Sequence, residues 1–208
     1  MNLENYYWYF SGVVPERICD EIVKFGMSHK QKAATIGLTT AKEEEGIPLT
    51  QEDKDNTKVI RDSNVVFLTD AWIHKELFTY IKMANHHAGW NVEWSTTEAM
   101  QFTQYFPNQY YHWHCDAFKG PYKKPEWRKG LIRKLSAVLS LTDPKEYEGG
   151  ELQFDFRDKD KSEVRICTEA KGKGSVVIFP SFVWHRVRPV TKGTRHSLVM
   201  WNLGNPYV

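Results

Sequence analysis

Hydrophobic and polar positions along this chain fall into two regimes. In VVPERICDEIVKFG, residues 13 to 26, Ile18, Ile22, Val23 and Phe25 recur at near-helical spacing after Pro15, with Gly26 as a stop. This predicts a helix, preceded by a short aromatic strand. From Ala71 to Ala88, the residues Trp72, Ile73, Leu77, Tyr80, Ile81 and Ala84 share one side and predict a second helix. Between the two, TTAKEEEGIPLTQEDKDNT, residues 39 to 57, carries many charges and almost no large apolar side chains. With so little surface to bury, it reads as a mobile loop.

Beyond Trp90 the period shortens. AMQFTQYF, RKLSAVLSLT, GELQFDF, SEVRICTEA, GSVVIFP and RHSLVMWNL are β-type runs, separated by turn signals at Asp143-Pro144, Gly149-Gly150, Gly172-Lys173-Gly174 and Lys192-Gly193. Many short strands with flanking helices predict a mainly β fold, an antiparallel sandwich or jelly roll. A length of 208 residues suits one domain over 1–208, with helical support over about 13–90 and a β core over about 98–203.

Composition narrows the class further. A hydrophobic share of 41% with 26% charged residues is that of a globular chain. No stretch approaches the roughly 20 apolar residues of a membrane span, and MNLENYYWYF lacks a basic segment followed by an apolar run. A non-membrane, cytoplasmic protein is expected. Cys19, Cys115 and Cys167 have no CxxC spacing, which argues against a disulfide framework or zinc ribbon and suits a reducing compartment. A net charge of +2 does not by itself imply a polyanionic partner.

The candidate chemistry lies in YYHWHCDAF, residues 110 to 118. On an extended strand His114 and Asp116 share a face, a ready pair of metal ligands, although solvated surface residues are the commoner outcome of such spacing. A third element changes the picture: His185 sits in the run FPSFVWHRVRPVTKGTRHSLVMW, where a turn around Lys192-Gly193 would form a hairpin and return Arg195 near it. Two imidazoles and a carboxylate leave positions open on an octahedral ion, the facial triad of non-haem Fe(II) oxygenases. Arg195 would suit a carboxylate, with Ser197 adding a hydroxyl; the plainer reading of Arg195 is a surface salt bridge.

YFPNQYYHWHCD, KLSAVLSLTDPKEYEGGELQF, KGKGSVVIFPSFVWHRVRPVTKGTR and SLVMW together resemble the Fe(II)- and 2-oxoglutarate-dependent dioxygenases, in particular the prolyl 4-hydroxylase-like group. The likeness is dense from about Glu98 to Leu203 and looser over the VVPERICDEIV and RDSNVVFL segments. It implies a double-stranded β-helix in which His114, Asp116 and His185 hold iron and Arg195 binds the distal carboxylate of 2-oxoglutarate. It also implies dioxygen as co-substrate, with ascorbate a further candidate. Tyr105 and Tyr111 match tyrosines lining the co-substrate and substrate pocket. Where some prolyl hydroxylases carry a second 2-oxoglutarate-binding tyrosine, this chain has Ser140, so Tyr105 or Ser197 is expected to take that role.

His112 shares strand parity with His114, and an HxH pair raises the alternative of a cupin; no glutamate follows at the short spacing a cupin needs. His112 is therefore read as a pocket-rim or packing residue, and with Tyr111 and Trp201 it completes the substrate-pocket candidates. Cys115 is read as packing, since a thiolate suits zinc or copper better.

The resemblance makes a peptidyl proline the expected substrate, with residues 39–57 falling where relatives have a lid. A second class, nucleic acid, is raised by KGPYKKPEWRKGLIRK, residues 119 to 134, which has seven basic residues, one acidic, and interleaved Tyr122 and Trp127. A solvated loop is the plainer reading of that run. A free amino acid or small metabolite is a third possibility, and a metal- and anion-binding barrel without catalysis a fourth.

Overall fold

The computed structural model describes residues 4–44, 46–117, 120–156 and 163–207, without the side chains of Gly37, Leu38 and Glu44. In chain order the N-terminal part contains β1 (Trp8–Phe10), α1 (Glu16–Ser28), β2 (Lys32–Ala33), α2 (Gly37–Glu44), α3 (Gln51–Ile60), β3 (Arg61–Asp62), β4 (Asn64–Leu68) and α4 (Ala71–His87). The strands that follow are β5 (Thr96–Thr97), β6 (Met100–Tyr105), β7 (Tyr110–His114), β8 (Ile132–Ser140), β9 (Tyr147–Gly149), β10 (Leu152–Asp155) and β11 (Val164–Ile166). The last four are β12 (Val176–Pro180), β13 (Trp184–Val187), β14 (Val190–Gly193) and β15 (Arg195–Gly204).

These strands build a large antiparallel sheet in the order β1-β12-β8-β15-β6-β4-β2, a smaller one in the order β11-β10-β13-β7-β3, and a short β14-β9 pair. The mainly β architecture with flanking helices agrees with the sequence pattern. In the large sheet both faces are covered, and strand alternation sorts the side chains. Phe102 of β6, Leu135, Ala137 and Leu139 of β8, and Leu198 and Met200 of β15 join Ile22 of α1 and Ile73, Leu77 and Ile81 of α4 in the main core. The residues between them, such as Gln101, Thr103, Ser136, Val138, Ser197 and Val199, project the other way, towards the smaller sheet. Val138 and Val177 meet Leu152 and Phe154 in a second cluster there.

The turn signals at Gly149-Gly150 and Lys192-Gly193 do fall at strand ends. Gly149 and Gly193 both have positive φ, +75° and +72°, and a Cβ would collide with the carbonyl oxygens of Pro189 and Glu146 respectively. That close approach is where β9 and β14 pair.

Three expectations are corrected. Residues 39–57 are largely helical, spanning most of α2 and entering α3; Glu45 lies outside the described residues. A capping box replaces apolar burial as the local driver: Thr50 Oγ1 accepts from the Asp53 N–H at 3.1 Å, and the Asp53 carboxylate accepts from the Thr50 N–H at 2.9 Å. Lys42 then ties α2 to α3 through Asp53 at 2.6 Å. SEVRICTEA is a strand only over Val164–Ile166, followed by a 3-10 turn over Thr168–Ala170; Ser162 lies outside the described residues. Finally, β13 and β15 are not hairpin partners. β13 pairs with β10 and β7 in the small sheet, whereas β15 pairs with β8 and β6 in the large one.

Candidate metal centre and its cavity

His114 ends β7 and pairs in register with His185 on β13. The strand stops at His114, so Asp116 arrives from the bend beyond it and not from a continuous extended run. His114 Nε2 lies 3.8 Å from one Asp116 oxygen, and His185 Nε2 lies 3.7 Å from the other. One ligand atom from each of the three residues lies within 4.8 Å of the others. Two imidazole nitrogens and a carboxylate oxygen are a donor set that fits Fe(II).

Each partner orients its ligand. His114 Nδ1–H donates to the His112 carbonyl at 2.7 Å, and His185 Nδ1–H donates to the Val183 carbonyl at 3.0 Å, which leaves both Nε2 lone pairs for an ion. Burial, reinforced by His185, holds the His114 imidazole well below its ordinary range, so it stays neutral and ready to ligate. Burial alone would raise the Asp116 carboxyl, but His185, His114 and Arg133, with the Ser136 hydroxyl, hold it down at about 2. His114 and Asp116 are thus in the protonation states that a metal requires.

Arg195 faces this centre from the opposite sheet. The residue is only 3% exposed, and among the described residues no carboxylate lies within ion-pair distance, so the salt-bridge alternative has no partner. Nη1 donates to Ser197 Oγ at 3.3 Å, and the group lies 5.5 Å from the Tyr105 ring centre. Arg195, Ser197, Tyr105, Tyr111 and Trp201 line one cavity with His114, Asp116 and His185. Ser140 does not; its hydroxyl donates to the Ala170 carbonyl, and Val138 is the β8 residue at the cavity wall.

His112 is not brought in. Its ring is exposed, and its Nδ1 accepts the Trp113 N–H at 2.8 Å. The cause is a register shift: His185 pairs with His114 but Val187 with Tyr111, so β7 has one more residue than β13 over this span. Parity inverts across the bulge. Tyr111 and His114 consequently share the cavity side, and His112 turns out. Cys115 also stays outside the ligand set, its thiol directed at the Ala117 carbonyl at 3.5 Å.

Sequence reasoning missed Gln101, which lines the cavity, and Ser136, Ser181 and Glu98 behind it. For Gln101 and Ser136 the signal is a polar residue within an otherwise apolar strand; Ser181 and Glu98 lie just outside the strands and carry no such signal. The basic run 119–134 also reads differently in place, with Lys119 outside the described residues. Arg128 and Arg133 both pair with the buried Glu98, Arg133 lies 3.8 Å over the Trp201 ring, and Lys134 donates to the Asn205 carbonyl at 2.8 Å. Three of the charges counted for a polyanion are committed internally.

Comparison with known proteins adds three findings. Residues 100–202 match the family model of the 2OG-Fe(II) oxygenase superfamily. A PKHD-type hydroxylase of Pseudoalteromonas atlantica is 34% identical over 101 residues, which cover 49% of this chain and 41% of that protein. The chain therefore spans well under half of that relative. In fold, it is similar to a viral collagen prolyl hydroxylase from Paramecium Bursaria Chlorella virus-1 (TM-score 0.63, 16% identity, 97% of both chains) and to a Pseudomonas putida prolyl-4-hydroxylase (TM-score 0.63, 17% identity, 96% of this chain and 93% of that one).

Proposed function

We propose, from the membership of residues 100–202 in the 2OG-Fe(II) oxygenase superfamily, that this chain is a 2-oxoglutarate-dependent dioxygenase that hydroxylates a peptidyl proline. The observation that carries the reading is Arg195: a buried guanidinium without a carboxylate partner among the described residues, in the same cavity as a preoriented His-Asp-His set. A buried charge of this kind is costly unless a counter-charge arrives, and a dicarboxylate co-substrate supplies one.

His114, Asp116 and His185 would hold the iron. With 2-oxoglutarate and dioxygen, that ion supplies oxidation of an unactivated C–H bond, with succinate and carbon dioxide released. The protein's part is binding and orientation. Arg195 would take the distal carboxylate in a forked contact, Ser197 would steady the guanidinium, and Tyr105 would bound the co-substrate's tail. Tyr111 and Trp201 would wall the reacting side and keep water out.

A polypeptide substrate is favoured over a small metabolite by an open groove lined by Lys32, Phe67, Pro125 and Trp127 beside Glu98. The likeness in fold to prolyl hydroxylases supports proline as the residue modified. The internal commitments of Arg128, Arg133 and Lys134 weigh against nucleic acid.

The test is anaerobic addition of Fe(II), then 2-oxoglutarate, to wild type and Arg195→Ala, followed by aerobic succinate assay with proline-containing peptides and free proline. A visible charge-transfer band that needs far more 2-oxoglutarate in the variant, and succinate release stimulated by peptide, are expected. Co-substrate binding without succinate under any substrate would leave a binding barrel and overturn the enzyme reading.

A further inference from the structure

Ser136 is fully buried on the inward face of β8, where Val138 is its apolar neighbour. A hydroxyl at such a place must be hydrogen-bonded or it destabilises the fold. It donates to Asp116 Oδ2 at 2.7 Å, and its oxygen lies 2.9 Å from the equally buried Ser181 hydroxyl. A serine hydroxyl has one proton. Since Ser136 commits its own to the carboxylate, the contact between the serines must run with Ser181 as donor.

We propose that Ser181 and Ser136 form a directed hydroxyl relay that fixes the Asp116 carboxylate for metal binding, with Ser136 as a positioning residue; this rests on the function proposed above. With Oδ2 committed to Ser136, Oδ1 accepts no hydrogen bond among the described residues and is the oxygen left to ligate. Ser181 has a second anchorage that makes the relay rigid. Its N–H donates to the Lys134 carbonyl at 3.0 Å, and its carbonyl accepts the Ala117 N–H at 2.9 Å. The turn that holds Ser181 also holds Val183, whose carbonyl orients His185. One turn thereby aligns two of the three ligands, His185 on β13 and Asp116 in the bend after β7, and the relay passes that alignment to the carboxylate.

The experiment is Mn(II) binding to the metal-free protein, read by loss of the free-ion EPR signal, with Tm recorded for each variant. Ser136→Ala is expected to raise the Mn(II) Kd roughly 10–100-fold, the range seen when a group supporting a ligand is removed. Ser136→Thr, which keeps a hydroxyl on a strand-compatible residue, should return the Kd close to wild type, and Ser181→Ala should fall between. A hydroxyl that only satisfies the core would move Tm and leave the Kd unchanged, and that result overturns the relay. If Ser136→Ala does not fold, an unchanged Kd in Ser181→Ala overturns it instead. Wild-type protein that takes up no Mn(II) overturns the functional reading itself.

Discussion

The Tyr111 ring lies flat on the His114 imidazole, with centroids 3.5 Å apart and planes 11° apart, while the Arg61 guanidinium covers Tyr111 at 4.4 Å. The stack exists because the β7 bulge puts both rings on one side of the strand. Such contacts contribute about 0.5–1.5 kcal/mol beyond area burial. Tyr111→Leu should therefore weaken Mn(II) binding by roughly two- to tenfold, whereas Tyr111→Phe, which keeps the ring, should bind as wild type. Equal affinity in the leucine variant, measured by the same titration, would show that the stack does not position His114.

Arg195→Lys keeps the charge but loses the planar fork. A hydrogen bond to a charged group contributes about 1.5–3 kcal/mol, so half-saturation by 2-oxoglutarate should rise roughly 10–100-fold at unchanged Mn(II) affinity. A lysine variant that titrates like wild type would remove the forked contact from the account.

Glu98 is buried between Arg128, 3.0 Å from one carboxylate oxygen, and Arg133, whose Nε donates to the other at 3.1 Å. Burial opposes its charge, yet Arg133 and its neighbours hold the carboxyl below the ordinary range. Breaking a buried pair of this kind costs about 3–5 kcal/mol. Glu98→Gln should lower Tm by roughly 6–20 °C for a domain of this size, read by calorimetry. A shift of a degree or two would mean that the arginines find equivalent acceptors.

His196 gives the pH dependence. Burial, then the neighbouring Arg195 charge, pushes its imidazole down to about 4, and its nitrogens contact Thr142 and Gln104 at 3.2 Å. The unfolded value, about 6.5, is higher, so between the two the unfolded chain binds more protons. The stabilisation is complete above about pH 6.5 and is lost progressively towards about pH 4, amounting to something of order 3 kcal/mol. Urea midpoints across this interval should show it, and His196→Gln should flatten that part of the profile.

Much of this molecule is legible before it folds. The β-type runs and the helix of Ala71–His87 appear in the periodicity because both faces of the large sheet are covered and α4 buries one stripe. The ligand types also stand in the chain as His114, Asp116 and His185. What misled was composition: the charged stretch 39–57 lacks apolar anchors, yet the Thr50–Asp53 box and the Lys42–Asp53 pair stabilise helices without them. Local hydrogen bonding can do at a helix end what burial does elsewhere.

By itself, then, the sequence determined the strand-rich class, the turn glycines, and the side chains able to bind a metal and an anion, because each follows from local periodicity or intrinsic chemistry. Only the tertiary structure decided which of them meet. His185 and Arg195, ten residues apart, lie on different sheets, and the bulge in β7 exchanges His112 for Tyr111 at the cavity. Pairing register is set by contacts between distant strands, and a one-residue shift sends every later side chain to the opposite face.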